Sequence, residues 1–526
     1  MINAFEVQHK DISSTFRTFT TQNKIKQMKT LLTTILLLIF SVSSFSQEDA
    51  KMYDRSIPVE TQVTTNHTTT INGQKIPYKA TVGTQPVWDK DGKTIATLFY
   101  TYYERTDVSD KSKRPLLISF NGGPGSASVW MHVAYTGPMT LTIDDEGFPI
   151  QPYGVKTNPF SVLDVADIVF VNPVNTGYSR IVDKEVDEKK MFFGVNQDVK
   201  YLADWINTFV SRSNRWRSPK FLIGESYGTT RVSGLALELQ NRQWMYLNGV
   251  VLVSPTDLGL KRDGIVKSAN RLPYFAAAAW YHNALPADLQ AKDLDELLPE
   301  AEAFAMDELL PAMARGGFLP ESEKQSLAKK MSRYSGLTEK SILQNNLDVA
   351  TSFFWKDLLR ERDGLTVGRL DSRYKGLDKT ESGNRPDFNS ELTSWLHSFT
   401  PAINYYFKNK LKFETDVKYN MFGPVRPWDR TGDKTGENLR QAMAQNPYLN
   451  VMIQSGYYDG ATSYFDAKYS MWQLDPSGKM KDRLRFEGYR SGHMMYLRRE
   501  DLEKANNHLR DFILKSLPGD NVPAKY

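Results

Sequence analysis

The 526-residue chain contains no cysteine. That excludes disulfides, thiolate zinc sites, iron–sulfur clusters, a cysteine nucleophile and any lipid attached through sulfur. No histidine is followed by glutamate, so the H-E-x-x-H zinc motif is missing too. Charge of one sign is scarcely in excess: 66 Lys+Arg stand against 61 Asp+Glu, a formal +5. Of that, +3 lies before Gln47, where Lys10, Arg17, Lys24, Lys26 and Lys29 face Glu6 and Asp11. The remainder is nearly balanced, and a nucleic-acid partner is not indicated. What is present in quantity is apolar surface. At 40% hydrophobic and 12% aromatic residues the chain has enough of it to offset the entropy of ordering, which excludes a wholly disordered protein. At about 100–200 residues per domain, the length allows several domains or one large core with insertions.

Long hydrophobic runs are also missing, with one short exception. Leu31–Phe40 (LLTTILLLIF) follows Lys24, Lys26 and Lys29 and precedes the small-residue run SVSSFSQ. A basic segment, an apolar stretch of about 7–15 residues and small residues before a cut describe a secretory signal peptide. A membrane anchor is the alternative, but a spanning helix needs about 20 apolar residues. Residues 1–46 are therefore read as an N-terminal extension and signal peptide, with Met28 as the start and cleavage after Ser46. The mature protein is expected outside the cytoplasm, periplasmic or secreted, without stable membrane insertion.

Thr61–Thr70 reads as an N-terminal arm or early edge strand. QPVWDKDGKTIATLFYTYYER alternates around Asp91-Gly92 as a β-hairpin does. Apolar strands follow at Pro115–Phe120, Ile168–Val171, Phe221–Ile223, Asn248–Ser254 and Leu449–Gln454, with helical stretches such as Gln197–Ser211 between them. Apolar strands alternating with helices predict a mostly parallel sheet covered on both faces. Between Asp257 and about Thr400 the pattern changes, and Leu285–Leu343 is rich in Ala, Leu, Glu and Lys at helical spacing. The expected division is 47–256 for the first part of the core, 257–400 for a mostly helical cap insertion and 401–526 for the second part of the core. The helical block is expected to form a lid over the active end of the sheet, or else to pack on the surface.

The chemistry centres on Phe221–Gly228, an apolar strand running into Gly224-Glu225-Ser226-Tyr227-Gly228 and then a helix-compatible stretch. G-x-S-x-G is weak as a bare pattern. Between a strand and a helix it makes a sharp turn that exposes the serine hydroxyl. Serine needs a base, and the base needs an orienting acid. Of the 7 histidines, His9 precedes the signal region, His67 lies in the Thr-rich arm, and His282 and His397 lie in the insertion. His132 follows a Gly-rich loop and His508 belongs to a polar helix. His493 stands in a glycine-punctuated loop, Gly488–Met494, between a charged strand and the final helix. Asp459 follows the strand LNVMIQ, where an Asp otherwise serves as a turn residue. The order Ser226, Asp459, His493 is that of α/β-hydrolases. The predicted fold is thus an α/β-hydrolase fold, with a central mostly parallel sheet, helices on both faces and a mostly helical inserted cap.

At these residues the chain resembles the serine carboxypeptidase family, peptidase family S10. The markers are Asn121-Gly122-Gly123-Pro124-Gly125-Ser126, Asn172–Ser179, Gly224–Gly228, Gly456-Tyr457-Tyr458-Asp459 and Gly492-His493-Met494. Tyr458-Asp459-Gly460-Ala461-Thr462 and Gly492-His493-Met494-Met495-Tyr496 are worded more like the bacterial branch than the disulfide-rich eukaryotic one. The resemblance implies Ser226 as nucleophile, His493 as general base and Asp459 as its orienter, without metal or cofactor. It places the oxyanion hole at the N–H groups of Gly123 and Tyr227, and gives Asn121 and Glu225 the free C-terminal carboxylate of a peptide substrate. Glu225 can bind a carboxylate only when protonated. Two departures stand out. Ser126 stands where many relatives have cysteine, and Tyr135, or a neighbour if the loop has a gap, stands where many relatives carry a second glutamate that shares the proton. The implied activity is a secreted serine-type carboxypeptidase. An esterase or acyltransferase on the same triad, or a catalytically idle binding protein, are the alternatives.

Overall fold

A computed structural model describes residues 55–260, 263–519, 521–523 and 525. The expected signal segment, Leu31–Phe40 with its cut after Ser46, lies outside the described residues, as does His9.

Ten strands form one sheet: β1 (Thr61–Ile71), β2 (Gln74–Trp88), β3 (Thr94–Arg105), β4 (Leu116–Phe120), β5 (Asp167–Val171), β6 (Arg180–Ile181), β7 (Lys220–Glu225), β8 (Gly249–Val253), β9 (Asn450–Gly456) and β10 (Leu484–Tyr489). Their order is β1-β2-β3-β5-β4-β7-β8-β9-β10, with β6 pairing β3. The N-terminal part is an antiparallel meander. Asn72 and Gly73, both at positive φ (47° and 78°), turn β1 into β2 in the manner of a two-residue hairpin. Thr61–Thr70 thus takes the edge-strand option of its two readings. The turn from β2 to β3 is held by Asp89, whose Oδ1 accepts from the N–H groups of Asp91 and Lys93 at 2.9 Å each. From β5 through β10 the neighbouring strands run parallel. The central strands β4, β5, β7 and β8 are buried along their whole length, as continuous apolar runs covered on both faces must be.

One face is covered by α1 (Val129–Ala134), α4 (Ser390–Tyr405) and α6 (Arg499–Lys515), through Met131, Phe399 and Leu509 among others. The other is covered by α2 (Val195–Arg212), α3 (Tyr227–Arg242) and α5 (Thr435–Gln445), through Ile206, Leu235 and Leu439. This is the α/β-hydrolase fold, as the alternation of strands and helices predicts.

Helices between Ile265 and Asp363 leave the sheet after β8 and build a separate apolar cluster of their own, around Phe275, Leu297 and Phe354. The helix α4 runs through position 400 and into the turn Tyr406–Lys410, and its Phe399, Ala402 and Ile403 pack with the sheet rather than with that cluster.

Candidate active site

The C-terminal ends of the parallel strands carry the residues of interest. At the end of β7 the chain turns so abruptly that Ser226 adopts φ 57°, ψ −125°, and α3 begins at the next residue. Close approach requires glycine on both sides. A Cβ at position 224 would sit 2.1 Å from the carbonyl oxygen of Gly228, and one at position 228 would sit 2.6 Å from that of Phe120. A strained conformation of this kind persists only where the surroundings enforce it.

Consecutive residues at the end of β8 hold both the serine and the histidine. The Ser226 N–H donates to Val253 O at 2.9 Å, and Ser254 Oγ donates to His493 O at 2.8 Å. Beyond β9, Asp459 is fully buried, and its Oδ2 accepts from His493 Nδ1 at 2.6 Å. Thr462 Oγ1 also donates to Oδ2, at 2.7 Å, while the N–H groups of Ala461 and Thr462 donate to Oδ1 at 2.8 and 3.1 Å. These four donors fix the orientation of the carboxylate. Burial disfavours the charged form of His493. The charge of Asp459 and its hydrogen bond outweigh this and raise the histidine above its ordinary pKa. Ser226 and His493 line the same cleft, about 880 Å³ in volume.

The Gly-rich loop after β4 packs against the turn at Ser226. A Cβ on Gly122 would lie 2.5 Å from Tyr227 N. Arg231, fully buried on α3, donates to Asn121 O at 2.7 Å and to Pro124 O at 3.3 Å, and its charge is met by Asp198 at 2.7 Å. One guanidinium thereby ties α2, α3 and the loop together. Among the described residues, the N–H groups of Gly123 and Tyr227 meet no protein acceptor.

Glu225 is buried beside the serine. Its Oε1 accepts from Asn121 Nδ2 at 3.0 Å, and its Oε2 accepts from the Tyr496 hydroxyl. Burial raises its pKa to about 7 despite the lowering effect of His493 and of those two hydrogen bonds. Tyr135 makes no hydrogen bond to it. The Tyr135 hydroxyl donates to Gln454 Oε1 at 2.7 Å, and its ring stacks on Tyr496 with centroids 4.9 Å apart and planes at 6°.

The structure therefore brings Asn121, Gly123, Glu225, Ser226, Tyr227, Asp459 and His493 to one locality. The other described histidines lie elsewhere. His132 bonds Tyr103 in the core, His282 bonds the Ser372 carbonyl, and His67 bonds Thr65. Tyr496, Thr462 and Ser254 escape a reading of the sequence. Thr462, three residues after Asp459, is the one with a local signal, since an Asp followed by a Thr at that spacing favours a side-chain-capped turn. Among the described residues no group of three or more His, Asp or Glu is placed to hold a metal.

The cleft walls come from Arg369–Trp395 and Phe422–Arg430, and no residue of Leu285–Leu343 lines it. The lid expected from that helical block is thus not the element over the site. Its apolar residues pack in a cluster with Tyr458 and Phe465, and residues of the stretches that follow it, Arg369, Leu392, Trp395 and Trp428 among them, line the cleft instead.

The fold and this turn-and-loop geometry place the chain in the α/β-hydrolase class. The sequence model of the serine carboxypeptidase family matches residues 73–487, and the chain belongs to that family. The chain is 25% identical over 208 residues to serine carboxypeptidase-like 16 of Arabidopsis thaliana, which is 37% of this chain and 44% of that protein. It is 24% identical over 220 residues to carboxypeptidase Y homolog A of Leptosphaeria maculans, covering 41% of this chain and 34% of that one. These matches span less than half the length of the curated relatives. Among solved structures, the prohormone-processing carboxypeptidase Kex1 of Saccharomyces cerevisiae aligns with a TM-score of 0.48 at 14% identity, over 84% of this chain and 92% of that one.

Proposed function

We propose that the protein is a serine carboxypeptidase that releases the C-terminal residue of peptides through an acyl-enzyme on Ser226. Ser226 Oγ attacks the last peptide carbonyl while His493 Nε2 takes its proton and Asp459 stabilises the imidazolium. The N–H groups of Gly123 and Tyr227 receive the oxyanion. His493 then protonates the leaving amine, and water repeats the sequence to free the enzyme. Preorganised donors at the oxyanion are worth about 10²–10³ in rate each.

The observation that carries the exopeptidase reading is Glu225. A carboxyl group held neutral up to about pH 7, beside the nucleophile and hydrogen-bonded to Asn121, supports recognition of a second carboxyl group. An amidated or esterified C-terminus forfeits that contact. Hydrogen bonds to charged groups are worth about 1.5–3 kcal/mol, so peptide amides should be cleaved about tenfold or more slowly than the free acids. The test compares the two on blocked dipeptides, beside Ser226→Ala, which should lower turnover by at least about 10³ while remaining folded. Equal rates on acid and amide point to an esterase or acyltransferase on the same residues. Failure of a serine-directed phosphonate to label Ser226 points to an idle binding protein.

Export supports the same setting. The segment up to Ser46 has the pattern of a signal peptide, and among the described residues no helix is long and apolar enough to cross a membrane. The absence of cysteine and the wording around Asp459 and His493 support placement in the bacterial branch of the family. The first 46 residues, 47–256, 257–400 and 401–526 serve as export signal, first core part, cap and second core part.

A further inference from the structure

The cleft contains an imbalance of charge that hydrolysis of the peptide bond does not require. Three arginines line it: Arg369, Arg426 and Arg430. The acidic side chain among its lining residues is Glu225, which is neutral over much of the relevant pH range. Elsewhere this chain pairs its arginines closely, as in Arg373 with Asp371 at 2.7 Å, Arg231 with Asp198 at 2.7 Å and Arg510 with Asp164 at 2.7 Å. The three cleft arginines are exposed, and among the described residues none meets a carboxylate.

The carboxylates nearest in sequence are committed elsewhere. Asp429 Oδ1 accepts from Thr431 N at 2.8 Å, and Asp433 Oδ1 accepts from the N–H and hydroxyl of Thr435 at 3.0 and 2.8 Å. The arginines also stand on segments fixed to the catalytic apparatus rather than on free loops. Leu370, next to Arg369, accepts from His493 N at 2.7 Å. Gly423 N donates to Gly125 O at 2.7 Å, and Trp428 Nε1 donates to the Tyr227 hydroxyl at 3.0 Å, so the stretch bearing Arg426 and Arg430 is anchored at both the Gly-rich loop and the residue after the nucleophile. Unpaired guanidinium groups converging on a walled cleft focus a positive potential where the substrate lies, and they offer forked donors to carboxylates.

We infer that the enzyme selects peptides bearing acidic side chains at the last or next-to-last position, with Arg369, Arg426 and Arg430 as the specificity-determining residues. The inference rests on the carboxypeptidase reading, and its test separates the two. Blocked tripeptides carrying Glu, Gln or Lys at the last or next-to-last position, otherwise identical, are assayed for release of the terminal residue. At low ionic strength kcat/KM for Glu should exceed that for Lys by about tenfold or more at one of these positions, because each exposed charge pair contributes a few-fold and Lys adds repulsion. The advantage should shrink when salt is raised to about 0.5 M, where screening acts within a few ångströms. Arg426→Gln and Arg430→Gln should each move the Glu/Gln ratio toward one, and the double variant Arg426→Glu/Arg430→Glu should turn preference toward Lys. Glu, Gln and Lys peptides cleaved at equal rates would overturn the acidic preference and leave the carboxypeptidase standing. If none of the free-acid peptides is cleaved while a neutral ester is, the carboxypeptidase reading itself falls.

Discussion

In the proposed role Glu225 has to remain uncharged where a carboxyl group in water does not, and the residues around it set how far up the pH scale it succeeds. An exposed glutamate titrates near 4.3, whereas burial lifts this one to about 7. Peptide hydrolysis should therefore decline above about pH 7, as Glu225 ionises and repels the substrate carboxylate. An uncharged ester does not feel that repulsion. Both substrates share a rising limb, because His493 must be neutral to act as base and its pKa is raised. Peptide activity should be confined between these limits, and Glu225→Gln should remove the upper one while leaving the rising limb in place. Parallel pH profiles on a peptide and an ester, for wild type and variant, check this. Tyr496→Phe moves the same limit in a defined direction. The Tyr496 hydroxyl donates to Glu225 and so lowers its pKa. Its loss raises the pKa and should extend peptide cleavage to higher pH. Ser226, Asp459, His493, Asn121 and Glu225 were all legible in short motifs. Tyr496 was not, because its part depends on a stack with Tyr135 and on Gln454, residues from three distant stretches that only the folded sheet assembles. The Tyr135 hydroxyl turns to Gln454, and the ring stacked on it, Tyr496, supplies the donor to Glu225.

Among the elements, the short polar stretch Arg369–Arg373 does more for the site than the helices that precede it. It passes between the loops bearing Asp459 and His493, accepting from Gly460 N at Arg369 O (3.0 Å) and from His493 N at Leu370 O (2.7 Å), and donating from Ser372 N to Tyr458 O (3.0 Å). Asp371 is buried against Gly492, where a Cβ would lie 2.4 Å from the Asp371 side chain, and Arg373 neutralises it while also donating to Ser491 Oγ at 3.0 Å. Removing one member of a buried pair strands the other charge, at a cost of about 3–5 kcal/mol. Arg373→Ala should lose about that much stability in urea denaturation and lower kcat through the displaced histidine loop. The double variant Arg373→Ala/Asp371→Ala should recover part of the stability, since no lone charge remains. The core strands, by contrast, were readable to within a residue or two at most ends, because a fully buried parallel strand is a bare apolar run. The stretch around Asp371 has no periodicity and little apolar content, and nothing in the amino-acid order announces a segment threaded between two loops.

For the whole molecule, the buried glutamates tie stability to pH. Glu225 and Glu391 are both raised to about 7 by burial, and Glu391 leaves one carboxyl oxygen without a partner. A group whose folded pKa lies above its unfolded value stabilises most below the unfolded value and loses that contribution as pH climbs through the folded one. Each therefore costs up to about 3 kcal/mol between about pH 4.5 and 7.5. Thermal unfolding should show Tm falling across that range, and Glu391→Gln should flatten the fall without the change in peptide pH profile that Glu225→Gln brings. The layered sheet was visible in the order of apolar runs, but the separate cluster of the helical insertion was not, since helical spacing reveals an apolar face without revealing what covers it. The clasp at Arg369–Arg373 also bears on how the molecule ages. Glu381–Arg385 are exposed and lie in no helix or strand, the sort of place where a foreign protease cuts. A cut there leaves the nucleophile in one fragment and the acid and base in the other. The two fragments stay joined by the β8–β9 ladder and by the bonds of Leu370 and Ser372 across the break. Cleavage at this loop should therefore leave a two-chain body that keeps whatever activity the intact chain has, which limited proteolysis followed by assay checks.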